Sequence, residues 1–242
     1  GLGDVYKRQL ELGSVDMAVV DMAQLIRMEK NDENLPYGVV ISGVLKRGDS
    51  RYVMIRKRHA KDLIENAVVA TDSYSKTERI KHMYDGISCV VETDIRKCIE
   101  KLDASECDAV FVLLEDIKAA RLHNSFLYRY TIMDYGECVP VHGEGVYAML
   151  TKGKKEAVRT ARELSHKSTA ECFEIEDDII SRVMQNVYVK TCDVYARISS
   201  DRLEIYADVT GNRGRIRVNE RGTFVNKNLI ITKIVDRISK SM

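Results

Sequence analysis

The six cysteines have the widest chemical range of any residues in this sequence, since a thiolate can bind zinc, form a disulfide or attack an electrophile. They lie singly inside apolar segments, at positions 89, 98, 107, 138, 172 and 192. No Cys-x-x-Cys pair occurs, and no histidine lies at a spacing that would complete a zinc site. We therefore predict reduced thiols in the cores of a cytoplasmic protein, with no metal site and no disulfide framework.

A second candidate site is the turn Thr71-Asp72-Ser73, which follows an apolar run and opens a predicted helix at about Tyr74. Hydroxyl and backbone N–H groups at a helix N-terminus can hold a small anion, and Lys76 would add a cation. The alternative is that Thr71 and Ser73 are a plain capping pair, and Asp72 counts against an anion.

A third candidate is the basic run from Arg56 to Lys61, which could bind nucleic acid. It has no interleaved aromatic residues, and the chain as a whole is balanced, with 38 Lys plus Arg against 37 Asp plus Glu. A solvated linker face is the favoured interpretation, so no nucleic-acid partner is expected. No apolar run approaches the roughly 18 residues that cross a bilayer, so no membrane partner is expected either.

Strands and helices must position these candidate residues. From about residue 66 to 138, apolar β-branched runs alternate with helical patterns. This alternation predicts a βαβαβ unit with right-handed crossovers. After residue 140 we predict a turn and strand to about 150, then helices over about 154–165 and 169–184. The second helix is predicted to pack through Ala170, Phe173, Ile180, Val183 and Met184. Three strands and a closing helix then predict a separate α+β domain.

Several of these segments together carry a family resemblance. They are, in chain order, Val15-Asp16-Met17-Ala18-Val19, Leu35-Pro36-Tyr37-Gly38-Val39, Val69-Ala70-Thr71-Asp72-Ser73, Lys101-Leu102-Asp103-Ala104-Ser105-Glu106-Cys107-Asp108-Ala109, Val139-Pro140-Val141-His142-Gly143-Glu144-Gly145-Val146, Thr169-Ala170-Glu171 and Asp193-Val194-Tyr195-Ala196. Their order and spacing resemble the porphobilinogen deaminase (hydroxymethylbilane synthase) family of tetrapyrrole biosynthesis, from Leu10 onward.

The resemblance implies an α/β fold: two doubly wound domains of the type II periplasmic-binding-protein kind, the first incomplete, plus a C-terminal α+β domain. Domain 1 would comprise residues 10–44 with 144–160, domain 2 residues 45–143, and the third domain residues 161–242; residues 1–9 resemble an artefact. The family joins four porphobilinogen units with release of ammonia. It uses a dipyrromethane cofactor on a cysteine, an aspartate, and arginines for the substrate carboxylates.

The family's catalytic aspartate falls on Gln24 in this register, with Ala23 at the lysine position. Glutamine cannot exchange a proton near neutral pH. Asp21 is a possible substitute, but in extended backbone an offset of three residues points it to the opposite face, and a solvated or capping carboxylate is the alternative.

The cofactor cysteine falls on Tyr188, whose phenol cannot form the thioether. Cys192 lies four positions later in a predicted strand, as a core thiol or as a displaced anchor. At positions where the family has arginines, this chain has Glu92, Cys98 and Ala119, and Glu144 replaces a glutamine. These changes favour a family member without hydroxymethylbilane synthase activity and without a bound cofactor.

Two alternatives stay open: a non-catalytic small-anion-binding or regulatory module that uses the inter-domain cleft, and a diverged enzyme of another chemistry. The incomplete first domain would leave a sheet edge and an apolar face exposed near Val15, Met17 and Val19. Such edges pair with other chains, so we expect possible self-association.

Overall fold

The computed structural model describes residues 8–30, 34–60 and 65–242. The described strands are β1 (Met17–Asp21), β2 (Val39–Val44), β3 (Tyr52–Lys57), β4 (Val68–Thr71), β5 (Ser88–Val91), β6 (Ala109–Leu113), β7 (Tyr128–Ile132), β8 (Tyr147–Lys152), β9 (Val189–Ser199), β10 (Arg202–Gly211) and β11 (Gly214–Thr223). The described helices are α1 (Met22–Lys30), α2 (Tyr74–Lys81), α3 (Ile95–Asp103), α4 (Leu114–Ala119), α5 (Lys155–Leu164), α6 (Lys167–Val183) and α7 (Lys227–Ser241).

The chain divides into two compact units, one of residues 1–48 with 141–242 and the other of residues 49–140. We call them unit 1 and unit 2. The predicted three-domain boundaries remain a prediction. Of the segment predicted to be an artefact, residues 1–7 lie outside the described residues, as does Lys61 of the basic run.

Unit 2 is a doubly wound α/β unit built on a five-stranded sheet in the order β5-β4-β6-β3-β7. Strand β4 pairs in parallel with β5 and β6, whereas β3 runs antiparallel to both β6 and β7. A single antiparallel strand is therefore inserted into an otherwise parallel sheet. This topology confirms the predicted α/β fold class.

Both faces of the unit 2 sheet are covered, which explains the continuous apolar run of β6. Val110 and Val112 face one core cluster, while Phe111 and Tyr52 face the other, and all four are fully buried. The amphipathic helix α3 begins after Asp94, whose Oδ1 accepts a hydrogen bond from Arg96 N at 2.9 Å. An N-cap of this kind fixes where a helix starts.

Among its described residues, unit 1 contains two antiparallel three-stranded sheets. One has the order β1-β8-β2, and the other has the order β11-β10-β9. Helices α6 and α7 pack against the second sheet and enclose its core, which includes Ile179, Leu203, Ile205 and Ile234. The second sheet and its two helices match the predicted C-terminal α+β region.

The structure corrects one local prediction, the extended backbone through residue 24. Residues Met22–Lys30 form helix α1, because Met22, Leu25 and Met28 recur on one face and are buried in the unit 1 core. Among the described strands, β1 pairs only with β8, and Val19 on β1 is 45% exposed. Self-association through this edge stays a prediction.

Candidate functional site

The carboxyl ends of β4, β5 and β6 meet at one edge of the unit 2 sheet, where open α/β sheets bind their ligands. Because β3 is antiparallel, its first residues lie at the same edge. The loops and helix starts at this edge carry eight carboxylates, on Asp49, Asp72, Glu92, Asp94, Glu115, Asp116, Asp134 and Glu137, and five cations, on Arg51, Lys76, Arg96, Lys97 and Lys118. The edge is therefore acidic.

Thr71, Asp72, Ser73 and Lys76 are brought together where β4 turns into α2. The Nζ of Lys76 lies 2.7 Å from each carboxylate oxygen of Asp72, and its side chain is only 4% exposed. The cation that was predicted to bind a ligand is thus held by its neighbour. Ser73 is the N-cap residue of α2, but its side chain makes no capping hydrogen bond.

Thr71 is completely buried, and its Oγ1 has no hydrogen-bond partner in the part of the chain that the structure describes. Its carbonyl oxygen accepts a hydrogen bond from Glu92 N at 2.8 Å, which brings the ends of β4 and β5 together. A buried hydroxyl without a partner is uncommon and needs an explanation. It is the feature of this edge that best fits a small ligand.

Two further cations at this edge, Arg51 and Lys118, are also paired with carboxylates. Arg51 Nη2 lies 2.7 Å from Asp49 Oδ2, and Lys118 Nζ lies 3.5 Å from the same oxygen. Hydrogen bonds from Arg51 hold the pKa of the Asp49 carboxyl below its ordinary value. Ala119, at a family arginine position, ends α4 and supplies no charge.

Cys98, at another family arginine position, is fully buried on α3. Its Sγ–H donates to the carbonyl oxygen of Glu92 at 3.2 Å. Burial, with a smaller contribution from nearby acids, raises the pKa of this thiol to about 12. Cys98 is therefore neither an anion ligand nor a reactive thiolate near neutral pH.

Gln24 lies in the first turn of α1 in unit 1, and Asp21 sits at the junction between β1 and that helix. Asp21 Oδ1 accepts a hydrogen bond from Gln24 N at 2.9 Å, so this carboxylate caps the helix, as one of the two alternatives for Asp21 predicted. The loop of Gly143 packs tightly here, since a Cβ at Gly143 would lie 3.0 Å from Ala23 N. Glu144 in the same loop is 5% exposed.

Tyr188 lies in the turn between α6 and β9, with 55% of the residue exposed. Its carbonyl oxygen accepts a hydrogen bond from Asn212 N at 2.9 Å, so the backbone is anchored while the phenol is accessible. Cys192 is 6% exposed and belongs to the core between the second sheet and its helices. Of the two alternatives for Cys192, this placement favours the core thiol. Within the described residues, none of the six cysteines forms a disulfide.

Sequence reasoning missed a buried ionic network in unit 1. Arg47 Nη1 and Nη2 donate to Glu176 Oε1 and Oε2 at 2.6 and 2.9 Å, and Ala196 N donates to Oε1 at 2.7 Å. Burial opposes ionisation of Glu176, but the charge and hydrogen bonds of Arg47 outweigh it and lower the pKa of this carboxyl. Glu176 is thus a fully buried, ionised side chain.

His142 extends this network. Its Nε2 lies 2.8 Å from Asp177 Oδ1, its Nδ1 lies 3.4 Å from Glu176 Oε2, and its ring stacks on Phe173 with centroids 4.8 Å apart. Burial alone would lower the pKa of His142, but the two carboxylates raise it to about 9. The imidazole is therefore a cation near neutral pH. The neighbouring acids at 176 and 177 are the only sequence signal for this network.

A doubly wound sheet with polar residues at the carboxyl ends of its strands defines the class, an α/β ligand-binding scaffold. The chain belongs to the porphobilinogen deaminase family: residues 5–160 match the family model described as porphobilinogen deaminase, dipyromethane cofactor binding domain. This match confirms the family that the sequence motifs indicated.

Individual relatives are distant. The chain is 22% identical to the porphobilinogen deaminase of Clostridium acetobutylicum over 229 residues, which cover 88% of this chain and 77% of that protein. It is 24% identical to the enzyme of Chlorobium luteolum over 192 residues, which cover 78% of this chain and 60% of that protein. The chain thus spans about three fifths of the length of the Chlorobium relative.

Among solved structures, the chain is similar to the periplasmic aliphatic sulphonate binding protein SsuA from Escherichia coli. The identity is 14% and the TM-score 0.46, over 76% of this chain and 62% of that chain. In the described ranges of the chain, no helix is both long enough and apolar enough to cross a membrane.

The residues of this chain do not fit the dipyrromethane group that the family implies. A phenol stands at the anchoring position, and the thiol nearest to it in the sequence, Cys192, is buried in a core. Three of the cations at the unit 2 edge, Arg51, Lys76 and Lys118, are engaged by carboxylates.

Proposed function

We propose that this protein keeps the porphobilinogen deaminase scaffold without hydroxymethylbilane synthase activity. The observation that carries the proposal is the charge at the unit 2 edge, where eight carboxylates outnumber five cations, three of which are paired with a carboxylate. Porphobilinogen carries an acetate and a propionate group, so its binding would place further negative charge against this edge.

The position of the catalytic carboxylate supports the same proposal. When the amine of porphobilinogen leaves, the cationic intermediate needs a nearby carboxylate, and loss of a positioned acid or base costs on the order of 10²–10⁴ in rate. Gln24 carries no such group, and Asp21 is engaged in capping α1. Restoring the aspartate and the cysteine with Gln24→Asp and Tyr188→Cys would leave the acidic unit 2 edge unchanged.

A second candidate function is that of a small-anion-binding or regulatory module. The buried Thr71 hydroxyl, which has no hydrogen-bond partner in the described structure, favours this function. Thr71 Oγ1 lies where β4 turns into α2, a helix of eight residues whose first N–H groups lack side-chain caps. A small monoanion could satisfy both. Asp72 limits the charge of such a ligand, because its carboxylate stands at the same turn. In this proposal the module acts in the cytoplasm, alongside the enzymes of tetrapyrrole biosynthesis.

Two measurements on the purified chain test the proposal. Its intact mass should equal the mass of its sequence, and calorimetric titration with porphobilinogen should give no saturable heat. The deaminase of Clostridium acetobutylicum provides the control in both measurements. A dipyrromethane-sized adduct would overturn the proposal, and if it mapped to Cys192 the cofactor anchor would have moved.

A matched variant separates charge from the loss of single residues. Glu92→Gln with Asp94→Asn removes two carboxylates from the unit 2 edge without adding bulk. If charge excludes porphobilinogen, this variant should bind it more tightly than the parent chain. An equal charge change at the exposed acids Glu156 and Glu163 on α5 should leave porphobilinogen binding unchanged. Equal effects of the two double variants would contradict the role of the edge.

A further inference from the structure

A cavity of about 180 Å³ lies in unit 1 beside the first turn of α6. Lys46, Arg47, Ser168, Thr169 and Arg197 contribute to its lining. No carboxylate is among its lining residues. The volume exceeds that of a single water molecule several-fold and suits a small polyatomic ion.

The guanidinium of Arg47 presents one unused edge. Its Nη1 donates to Glu176 and to the carbonyl oxygen of Ala196, and its Nη2 donates to Glu176. A guanidinium has five N–H donors, so the Nε–H and one Nη2–H remain, and these two lie side by side. In the described structure Nε is buried without a hydrogen-bond partner, and the side chain is 9% exposed. Two parallel N–H donors are the fork that holds an oxyanion in bidentate fashion.

The rest of the cavity wall has matching polarity. Helix α6 has 17 residues, and the N–H groups of its first turn carry partial positive charge. The N–H of Thr169 donates a hydrogen bond to His166 Nδ1. Ser168 lies one residue earlier in the same first turn, and it lines the cavity. Lys46 is exposed and has no ion pair among the residues that the structure describes, so its charge is available.

We infer that this cavity binds a small oxyanion, held by the Nε and Nη2 edge of Arg47, the first turn of α6 and Lys46. The ligand class is inorganic phosphate or sulfate, or the carboxylate of a small acid. The lining residues all belong to unit 1, whereas the acidic edge belongs to unit 2. Its existence does not depend on whether the chain makes hydroxymethylbilane.

Calorimetry and NMR on the full chain test this inference with phosphate, sulfate and acetate at equal ionic strength. Phosphate should bind with a dissociation constant of about 1 mM, as two or three charge-assisted hydrogen bonds allow. In ¹⁵N spectra, the Arg47 Nε and Ser168 amide signals should shift with the same saturation curve. The strongest of the three anions then identifies the source chemistry. No saturable binding of any of them would overturn the inference.

Variants locate the anion. Lys46→Gln should weaken phosphate binding about tenfold, since it removes one charge-assisted contact. Lys190→Gln, at an exposed strand position away from the cavity lining, should leave it unchanged. Ser168→Glu places a carboxylate in the first turn, where helices favour acids, so the chain should fold and lose phosphate binding. If Lys46→Gln and Ser168→Glu bind phosphate like the parent chain, the inference is wrong.

Discussion

Replacing Arg47 by methionine should strongly destabilise unit 1. The change removes the guanidinium that donates to both oxygens of Glu176 and leaves a carboxylate with 0% side-chain exposure. The remaining partners of that carboxylate are Ala196 N at 2.7 Å and the His142 ring at 3.4 Å. Breaking a buried ion pair by removing one partner costs about 3–5 kcal/mol, because an uncompensated charge stays buried. We expect a loss of this size in the free energy of unfolding.

The double variant Arg47→Met with Glu176→Leu separates burial of a lone charge from loss of packing. Replacing both members of a buried ion pair with apolar side chains is often neutral or stabilising, so the double variant should be more stable than Arg47→Met alone. Arg182→Met is the matched control on the same helix. Arg182 and its partner Asp178 on this helix, α6, are both about half exposed. Such exposed ion pairs contribute about 0.5 kcal/mol or less to the free energy of unfolding.

Urea unfolding followed by circular dichroism gives these differences, and hydrogen exchange of the α6 and β9 amides assigns them to unit 1. The reasoning would be refuted if Arg47→Met cost no more than Arg182→Met. It would also fail if the double variant were less stable than Arg47→Met, because the lone carboxylate would then not be the source of the loss.

Three further predictions concern single residues. The pKa of His142, raised to about 9, implies stability that is fully present below the unfolded pKa of about 6.5 and lost as pH rises through 9. It amounts to about 3 kcal/mol and should be absent from His142→Gln in pH-dependent urea titrations. Gly143→Ala should lower the free energy of unfolding by about 1–3 kcal/mol, because φ is +84° and the new Cβ would lie 2.7 Å from Ile26 Cδ1. The control Gly153→Ala, where φ is +64° and no atom lies within 4 Å of the new Cβ, should lower it less in the same urea titration. Thr71→Val should raise the unfolding free energy by about 1 kcal/mol in ligand-free protein, because it removes a buried hydroxyl without a partner; a loss of stability would indicate that the hydroxyl is satisfied.

Much of the fold could be predicted, because the buried faces of strands and helices require apolar residues at regular spacings in the sequence. The continuous apolar run at 109–114 predicts a strand covered on both faces, and β6 is buried throughout. The antiparallel strands β9 to β11 and the amphipathic helix α3, which buries Cys98, Ile99 and Leu102, follow the same logic. The spacing of Met22, Leu25 and Met28 indicates helix α1, but the family motif aligns this segment with extended backbone, so the prediction made from the motif is wrong here.

The buried network could not be predicted, because its members are far apart in the chain and only tertiary contact makes them compatible with burial. Arg47 and Glu176 are separated by 129 positions. Helix α6 therefore buries Glu176, while Met184, which was predicted to pack, is 44% exposed. The predicted site residues Gln24 and Tyr188 were found by register alone, and their roles stay predictions.

Turnover of porphobilinogen tests the central claim most directly. The purified chain and its Gln24→Asp, Tyr188→Cys double variant are incubated with porphobilinogen, and hydroxymethylbilane is measured as the porphyrin it forms after acidification and oxidation. The deaminase of Clostridium acetobutylicum serves as the active control. We predict no product above a buffer control for either form of the chain. Product formed by the unmodified chain at a rate near that of the control would contradict the claim.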